Sequence, residues 1–110
     1  MKQYVIDGLR PQDFKKLKEY LDENFEVSPL GEIYWVELAE NILTPMQKEH
    51  DACKPHVFAF MLENDSLSAE LLVRIKTSIK CDCMGYANQE QREWLIQKMD
   101  LILDELKIQI

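Results

Sequence analysis

Hydrophobic and polar residues alternate with the two-residue period of a β-strand along the stretch 55–87, PHVFAFMLENDSLSAELLVRIKTSIKCDCMGYA. Asn64 and Asp65 both tolerate positive φ, and together they predict a two-residue hairpin loop. Residues that face each other across this hairpin lie on the same side of the sheet. The register pairs Leu62 with Leu67, Phe60 with Ala69, and Phe58 with Leu71, and with Val73 these residues form one apolar layer.

A third strand is predicted from Ile79 to Cys83, where the odd positions are apolar. A three-residue loop at 76–78 would place Val73 opposite Cys81, and both Cys81 and Cys83 would then face the core. A loop one residue shorter would turn every side chain of this strand to the opposite face. The apolar pattern therefore favours the three-residue loop.

Two further strands and a helix are predicted before this stretch. One strand covers Tyr4–Ile6 and is closed by Asp7 and Gly8, and the other covers Ile33–Leu38, where Tyr34, Val36 and Leu38 alternate with the side chains of the opposite face. Between them, Pro11 suits the first position of a helix, where its missing N–H costs nothing. The helix is predicted to run to about Asn24, and its apolar stripe consists of Phe14, Leu17 and Leu21.

Two capping boxes predict the remaining helices. Thr44, followed three residues later by Gln47, marks the start of a short helix. Asn88 and Gln91 have the same spacing and mark the start of the last helix, which is predicted to run to about Lys107.

The order of these elements is β-α-β-α-β-β-β-α. Strands linked by hairpins, with helices outside the run of strands, indicate an α+β fold. We therefore expect a mostly antiparallel five-stranded sheet with helices packed on one face. The chain of 110 residues is 46% hydrophobic and 30% charged, which is typical of one globular domain covering residues 1–110.

Charge and hydropathy exclude several classes of protein. A net charge of −7 with no basic stripe argues against binding to nucleic acid or to anionic membranes. The longest uninterrupted apolar run, Val57–Leu62, is far too short to span a bilayer, and the N-terminus lacks a secretory signal core. Three cysteines, an odd number, favour reduced thiols over a disulfide framework. These features predict a soluble cytoplasmic protein.

One group of residues could carry metal or thiol chemistry: His50, Cys53, His56, Cys81 and Cys83. Histidine nitrogens and cysteine thiolates are the ligands of tetrahedral zinc sites. If the short helix reaches Cys53, then His50 and Cys53 are three residues apart and lie on one face of it.

The predicted geometry of the strands argues against a zinc site made from all five residues. On a straight strand, the side chains of Cys81 and Cys83 lie about 6.6 Å apart, whereas two thiolates on one zinc lie about 3.8 Å apart. Both could bind one metal only if the chain bent at this point. The register also places His56 opposite Val73, and so about 9.6 Å from Cys81 across two strand spacings. The favoured interpretation is three structural cysteines and no cofactor, with a zinc or thiol-redox site as the alternative.

The sequence contains no motif specific to an enzyme class. Its three glycines form no phosphate-binding loop, and it has no His-Glu-x-x-His pair. A nucleophilic Cys53, activated by His50 or His56, would also need an orienting group and an oxyanion hole, for which no motif is present. Catalysis is therefore not expected.

The non-core face of the predicted sheet carries more apolar residues than an open face usually does. Contiguous apolar surface bordered by charge marks contact sites, and twofold dimers are the commonest assemblies. We therefore predict a non-catalytic protein-interaction module that forms a homodimer or binds another protein. The predicted interface consists of Trp35, Val57, Ala59, Met61, Leu72 and Met84.

Overall fold

A computed structural model of the chain describes residues 1–29, 32–76 and 81–110. These ranges contain an antiparallel sheet of seven strands and three α-helices, which confirms the α+β class. The strands are β1 (Gln3–Asp7), β2 (Glu26–Val27), β3 (Ile33–Glu37), β4 (His56–Leu62), β5 (Ser66–Glu70), β6 (Leu72–Ile75) and β7 (Gly85–Tyr86). The helices are α1 (Pro11–Asn24), α2 (Pro45–Glu49) and α3 (Gln89–Glu105), and 3₁₀ turns at Glu40–Ile42 and Asp51–Cys53 flank α2.

The sheet has the strand order β1-β5-β4-β3-β2, and β6 pairs with β4 and with β7. The prediction of five strands was wrong for two reasons. The short strand β2 was not anticipated, and the strand that follows the hairpin loop is divided into β5 and β6.

The hairpin between β4 and β5 confirms the predicted loop and its register. Leu62 lies opposite Leu67 and Phe60 lies opposite Ala69. The backbone N–H of Glu63 donates to the carbonyl of Ser66 at 2.9 Å, which closes the two-residue loop.

A bulge at Leu71 separates β5 from β6. The pairs Phe60–Ala69 and Val57–Arg74 are three residues apart on β4 but five residues apart on the segment that contains β5 and β6. That segment therefore contains two extra residues at the bulge. The backbone of Leu71 forms hydrogen bonds with residues outside β4. Its N–H donates to the carbonyl of Lys2, and its carbonyl accepts from the N–H of Ala87. The predicted pairs Phe58–Leu71 and His56–Val73 are therefore wrong, and His56 pairs with Ile75 instead.

The predicted third strand at 79–83 was also wrong where the structure describes it. Val73 pairs with Gly85 of β7, not with Cys81. Cys81–Cys83 forms a turn, in which the backbone N–H of Met84 donates to the carbonyl of Cys81 at 3.0 Å. The predicted loop residues Thr77 and Ser78, and Ile79 itself, lie outside the described residues.

The helices α1 and α3 pack on one face of the sheet, as predicted, and bury the core there. Trp94 of α3 stacks on Phe58 of β4, with ring centroids 6.3 Å apart. The core includes Leu17, Leu21, Tyr34, Val36, Phe58, Phe60, Leu67, Leu95 and Met99, all of which are almost completely buried. Within the described ranges, we find no helix that is both long enough and apolar enough to cross a membrane.

Candidate metal centre

Four of the five candidate residues meet at one place in the fold. The ligand atoms of His50, Cys53, Cys81 and Cys83 all lie within 4.8 Å of one another. Nδ1 of His50 is 3.0 Å from Sγ of Cys81. Cys83 is buried, and the other three side chains are half-buried. We refer to these four residues as the His-Cys cluster.

His50 and Cys53 reach the cluster through the turn that follows α2. The helix ends at Glu49, and the backbone N–H of His50 donates to the carbonyl of Gln47 at 3.2 Å. The chain then forms the 3₁₀ turn, in which the backbone N–H of Cys53 donates to the carbonyl of His50 at 3.0 Å. A 3₁₀ turn has three residues per turn, so residues at i and i+3 lie on the same side. The two side chains therefore share one face, although the helix does not extend to Cys53.

Cys81 and Cys83 join the cluster because the chain bends between them. The separation of about 6.6 Å that opposes shared metal binding applies to a straight strand. The turn at 81–83 brings both sulfur atoms within 4.8 Å of each other and of the other two ligand atoms. The geometric objection to a Cys-x-Cys pair therefore does not hold at this position.

His56 is not part of the cluster. It begins β4, is 2% exposed, and neither ring nitrogen has a hydrogen-bond partner among the described residues. Burial lowers the pKa of His56, and the nearby charges of Lys54 and His50 lower it further. The structure therefore leaves His56 as a buried neutral histidine and reduces the five candidate residues to four.

The three thiols of the cluster titrate very differently. Hydrogen bonds from the backbone N–H and side chain of Cys83, and from Cys53 and His50, lower the pKa of Cys81 to about 6. Burial, together with the hydrogen bonds to Cys81 and Cys53, raises the pKa of Cys83 to about 12. The hydrogen bond to Cys81, and then burial, raises the pKa of Cys53. The cluster therefore favours one thiolate at Cys81, and a raised pKa argues against Cys53 as an activated nucleophile.

The donor set and spacing of the cluster fit a zinc ion. Three sulfurs and one nitrogen make up the Cys₃His ligand set of structural zinc sites. In a tetrahedral site, two sulfurs lie about 3.8 Å apart, and a sulfur and a nitrogen about 3.6 Å apart. The cluster atoms, all within 4.8 Å of one another, would need to move by only about 1 Å to reach those distances.

A buried glutamine, Gln47, adjoins the cluster and bonds to a second one, Gln91, and sequence reasoning identified both only as capping residues. Gln47 and Gln91 are 4% and 1% exposed. Their positions in the two capping boxes were the only sign of them in the sequence, because a capping box does not reveal whether the side chain is buried.

The residues of the predicted interface are distributed over two regions. Trp35 and Met61 lie on the outer face of the sheet, in register with Ala59 and Ile33 respectively. Val57 and Ala59 are buried within the chain, at 0% and 6% exposure, so they offer a partner little surface. Leu72 is a half-buried residue of β6 opposite Tyr86. Met84 precedes β7 and lines a groove with Thr44 and Met46 at the start of α2.

No known protein family, curated protein or solved structure matches the chain. No residue role is therefore carried over from another protein.

Proposed function

We propose that this chain binds one zinc ion through His50, Cys53, Cys81 and Cys83, and that the metal has a structural role. The observation that carries this proposal is the convergence of four suitable ligand atoms within 4.8 Å of one another. Four protein ligands fill a tetrahedral coordination sphere and leave no open position for a substrate, which is typical of structural zinc.

Zinc bound here would join two segments that are far apart in the sequence. His50 and Cys53 follow α2, whereas Cys81 and Cys83 lie just before β7 and α3. A metal that bridges such segments stabilises the fold, because the unfolded chain lacks a preformed site and the binding free energy adds to the folding free energy.

Zinc binding at this cluster is expected to weaken in acid. The metal requires deprotonated thiolates, and the pKa values of Cys53 and Cys83 are raised in the metal-free protein. Binding would therefore release protons, and a lower pH would oppose it.

The test is metal analysis combined with native mass spectrometry of the protein purified under reducing conditions without chelator. We expect one zinc per chain and a fall in the melting temperature when the zinc is removed. Zinc restored at about 1,000 times its dissociation constant would add about 4 kcal/mol to the free energy of unfolding.

Matched variants identify the ligands. Cys53→Ser, Cys81→Ser, Cys83→Ser and His50→Ala should each lose most of the zinc. Asp82→Asn should retain it, since Asp82 is exposed in the same turn and lies outside the cluster. A wild-type protein that takes up no zinc when reduced, or ligand variants that bind it as well as Asp82→Asn does, would refute the proposal.

A second candidate function is protein interaction as a homodimer through the outer face of the sheet. It is supported by a row of side chains that crosses four adjacent strands, Val5, Ser68, Met61 and Ile33. Val5 is 47% exposed and Met61 is 37% exposed, so apolar surface is available on this row. The mass measured for the zinc test also reports the oligomeric state.

We also propose a reducing, cytoplasmic location. The three cysteines are free thiols, and a zinc-thiolate site needs its thiols reduced.

A further inference from the structure

A chain of hydrogen bonds between buried amide groups connects the His-Cys cluster to the last helix. Nε2 of Gln91, on α3, donates to Oε1 of Gln47 at 2.9 Å and to the carbonyl of Ile42 at 3.0 Å. Nε2 of Gln47, on α2, donates to the carbonyl of Cys83 at 3.2 Å. The chain therefore runs from α3 through α2 to one of the metal-binding cysteines.

The orientation of both amides is determined by their other hydrogen bonds. Oε1 of Gln47 also accepts from the backbone N–H of Thr44 at 3.0 Å. Oε1 of Gln91 accepts from the backbone N–H of Asn88 at 3.1 Å. An oxygen is required at each of these positions because both partners are donors. The nitrogen of Gln47 must therefore be the atom that faces Cys83.

Gln47 contacts both halves of the cluster. Its backbone carbonyl accepts from the N–H of His50, and its side chain donates to the carbonyl of Cys83. These two bonds define the position of the segment after α2 relative to the cysteine turn. The bond from the Gln47 side chain is buried, so water does not compete for it, and its loss would leave a buried polar group unpaired.

We infer that Gln47 is a positioning residue of the metal centre, and that Gln91 couples metal occupancy to the packing of the N-terminal end of α3. This inference rests on the proposed zinc site. The coupling is reciprocal: zinc would stabilise the start of α3, and a well-packed α3 would strengthen zinc binding. Substitution of residues that orient metal ligands in this way typically weakens metal affinity 10- to 100-fold.

Gln47→Glu tests the role of Gln47 without changing the size of the side chain. A glutamate keeps an oxygen for the backbone N–H of Thr44 and the side-chain amide of Gln91, and these two donors favour its ionised form against the cost of burial. Its second oxygen would face the carbonyl of Cys83 without a proton to donate. The substitution therefore removes the bond to the cysteine turn and retains the capping box.

Gln12→Glu is the matched control. Gln12 is exposed near the N-terminus of α1, so the same change of charge occurs at a helix start far from the cluster in sequence. Zinc affinity is measured at one pH by competition with a chromophoric chelator. The absorption spectrum of the Co²⁺ form reports the ligand geometry, which a general loss of stability would not alter. We expect Gln47→Glu to bind zinc 10- to 100-fold more weakly with a changed Co²⁺ spectrum, and Gln12→Glu to match the wild type.

Hydrogen exchange tests the coupling to α3 without any variant. Adding zinc to the wild-type protein should slow exchange of the backbone amides at 92–96, and this effect should be lost in Gln47→Glu. Equal zinc affinity of Gln47→Glu and the wild type, or exchange at 92–96 that is unchanged by bound zinc, would overturn this inference alone. A wild-type protein that binds no zinc would instead overturn the proposed function on which it rests.

Discussion

At the scale of the single residue, the two histidines occupy opposite environments. His50 lies at a chain turn, 3.0 Å from a thiol that favours the ionised state. His56 is enclosed at the start of β4, and its ring nitrogens have no partner among the described residues. The sequence presents both as histidines near cysteines, and only their environments distinguish the candidate metal ligand His50 from the core residue His56.

The stability of the metal-free protein should fall in mild acid because of His56. Burial lowers the pKa of this ring in the folded state, while the unfolded chain takes up a proton near the ordinary value of about 6.5. As the pH falls through that value, the unfolded state gains a proton that the folded state does not bind. The free energy of unfolding then decreases by up to about 1.4 kcal/mol per pH unit.

Urea denaturation between pH 7 and pH 5, with a chelator present, measures this dependence. The variant His56→Leu should lose the component due to His56, while His50→Ala should keep it. If His56→Leu has the same pH dependence as the wild type, the buried ring accepts a proton without cost and the explanation fails.

At the scale of the element, helix starts are local features. Both capping boxes form as predicted: Gln47 N–H donates to Oγ1 of Thr44 at 3.2 Å, and Gln91 N–H donates to Oδ1 of Asn88 at 2.9 Å. Each box needs only residues within four positions of one another, so the sequence is sufficient to specify it.

Replacing the cap of α3 should therefore have a measurable cost. We expect Asn88→Ala to reduce the free energy of unfolding by about 1 kcal/mol, because the Gln91 N–H loses its side-chain acceptor. The control is Asn41→Ala, which removes an exposed asparagine and should change stability by less than about 0.5 kcal/mol. Denaturant midpoints that coincide for the two variants would show that this cap contributes nothing.

Strand register is the element property that local patterns did not determine. The bulge at Leu71 depends on the backbones of Lys2 and Ala87, which are distant in sequence and supply its hydrogen-bond partners. Side chains on a strand alternate between its two faces, so an insertion of two residues keeps the following side chains on the same face of the sheet. Apolar alternation therefore continues through this region. Beyond the bulge, the pattern was therefore correct that Val73 faces the core and wrong about its partner strand.

At the scale of the whole molecule, a homodimer must overcome the repulsion between two acidic chains, each with a net charge of −7. Two cations near the outer face form ion pairs with carboxylates of the same chain. Arg74 pairs with Glu70, and Lys76 pairs with Glu26 and Glu37. These pairs reduce the repulsion between two copies that approach through the outer face.

Met61→Glu tests the dimer directly, since it places a charge in the exposed apolar row. We expect the wild type to have twice the chain mass in native mass spectrometry and Met61→Glu to have the single-chain mass. Leu101→Glu is the control, because Leu101 is an exposed apolar residue of α3 on the helical side of the sheet. A monomeric wild type, or a dimer that tolerates Met61→Glu, would rule out this interface.

The sequence by itself determined the α+β class, the bounds of α1, the start of α3, both capping boxes and the hairpin at Asn64–Asp65. It also contained all four residues of the candidate metal centre. These features depend on periodicity and on contacts between residues close in sequence, for which propensity and spacing carry the information.

Only the tertiary structure decided which of the five candidate ligands meet. Cys81 and Cys83 share a site because their segment turns and does not extend, whereas His56 is buried at the start of β4 and lies outside the cluster. The convergence of the two segments involves contacts between residues distant in sequence, such as the hydrogen bond from Gln47 to Cys83. Such contacts become favourable only when the whole chain is folded, so no local pattern in the sequence could specify them.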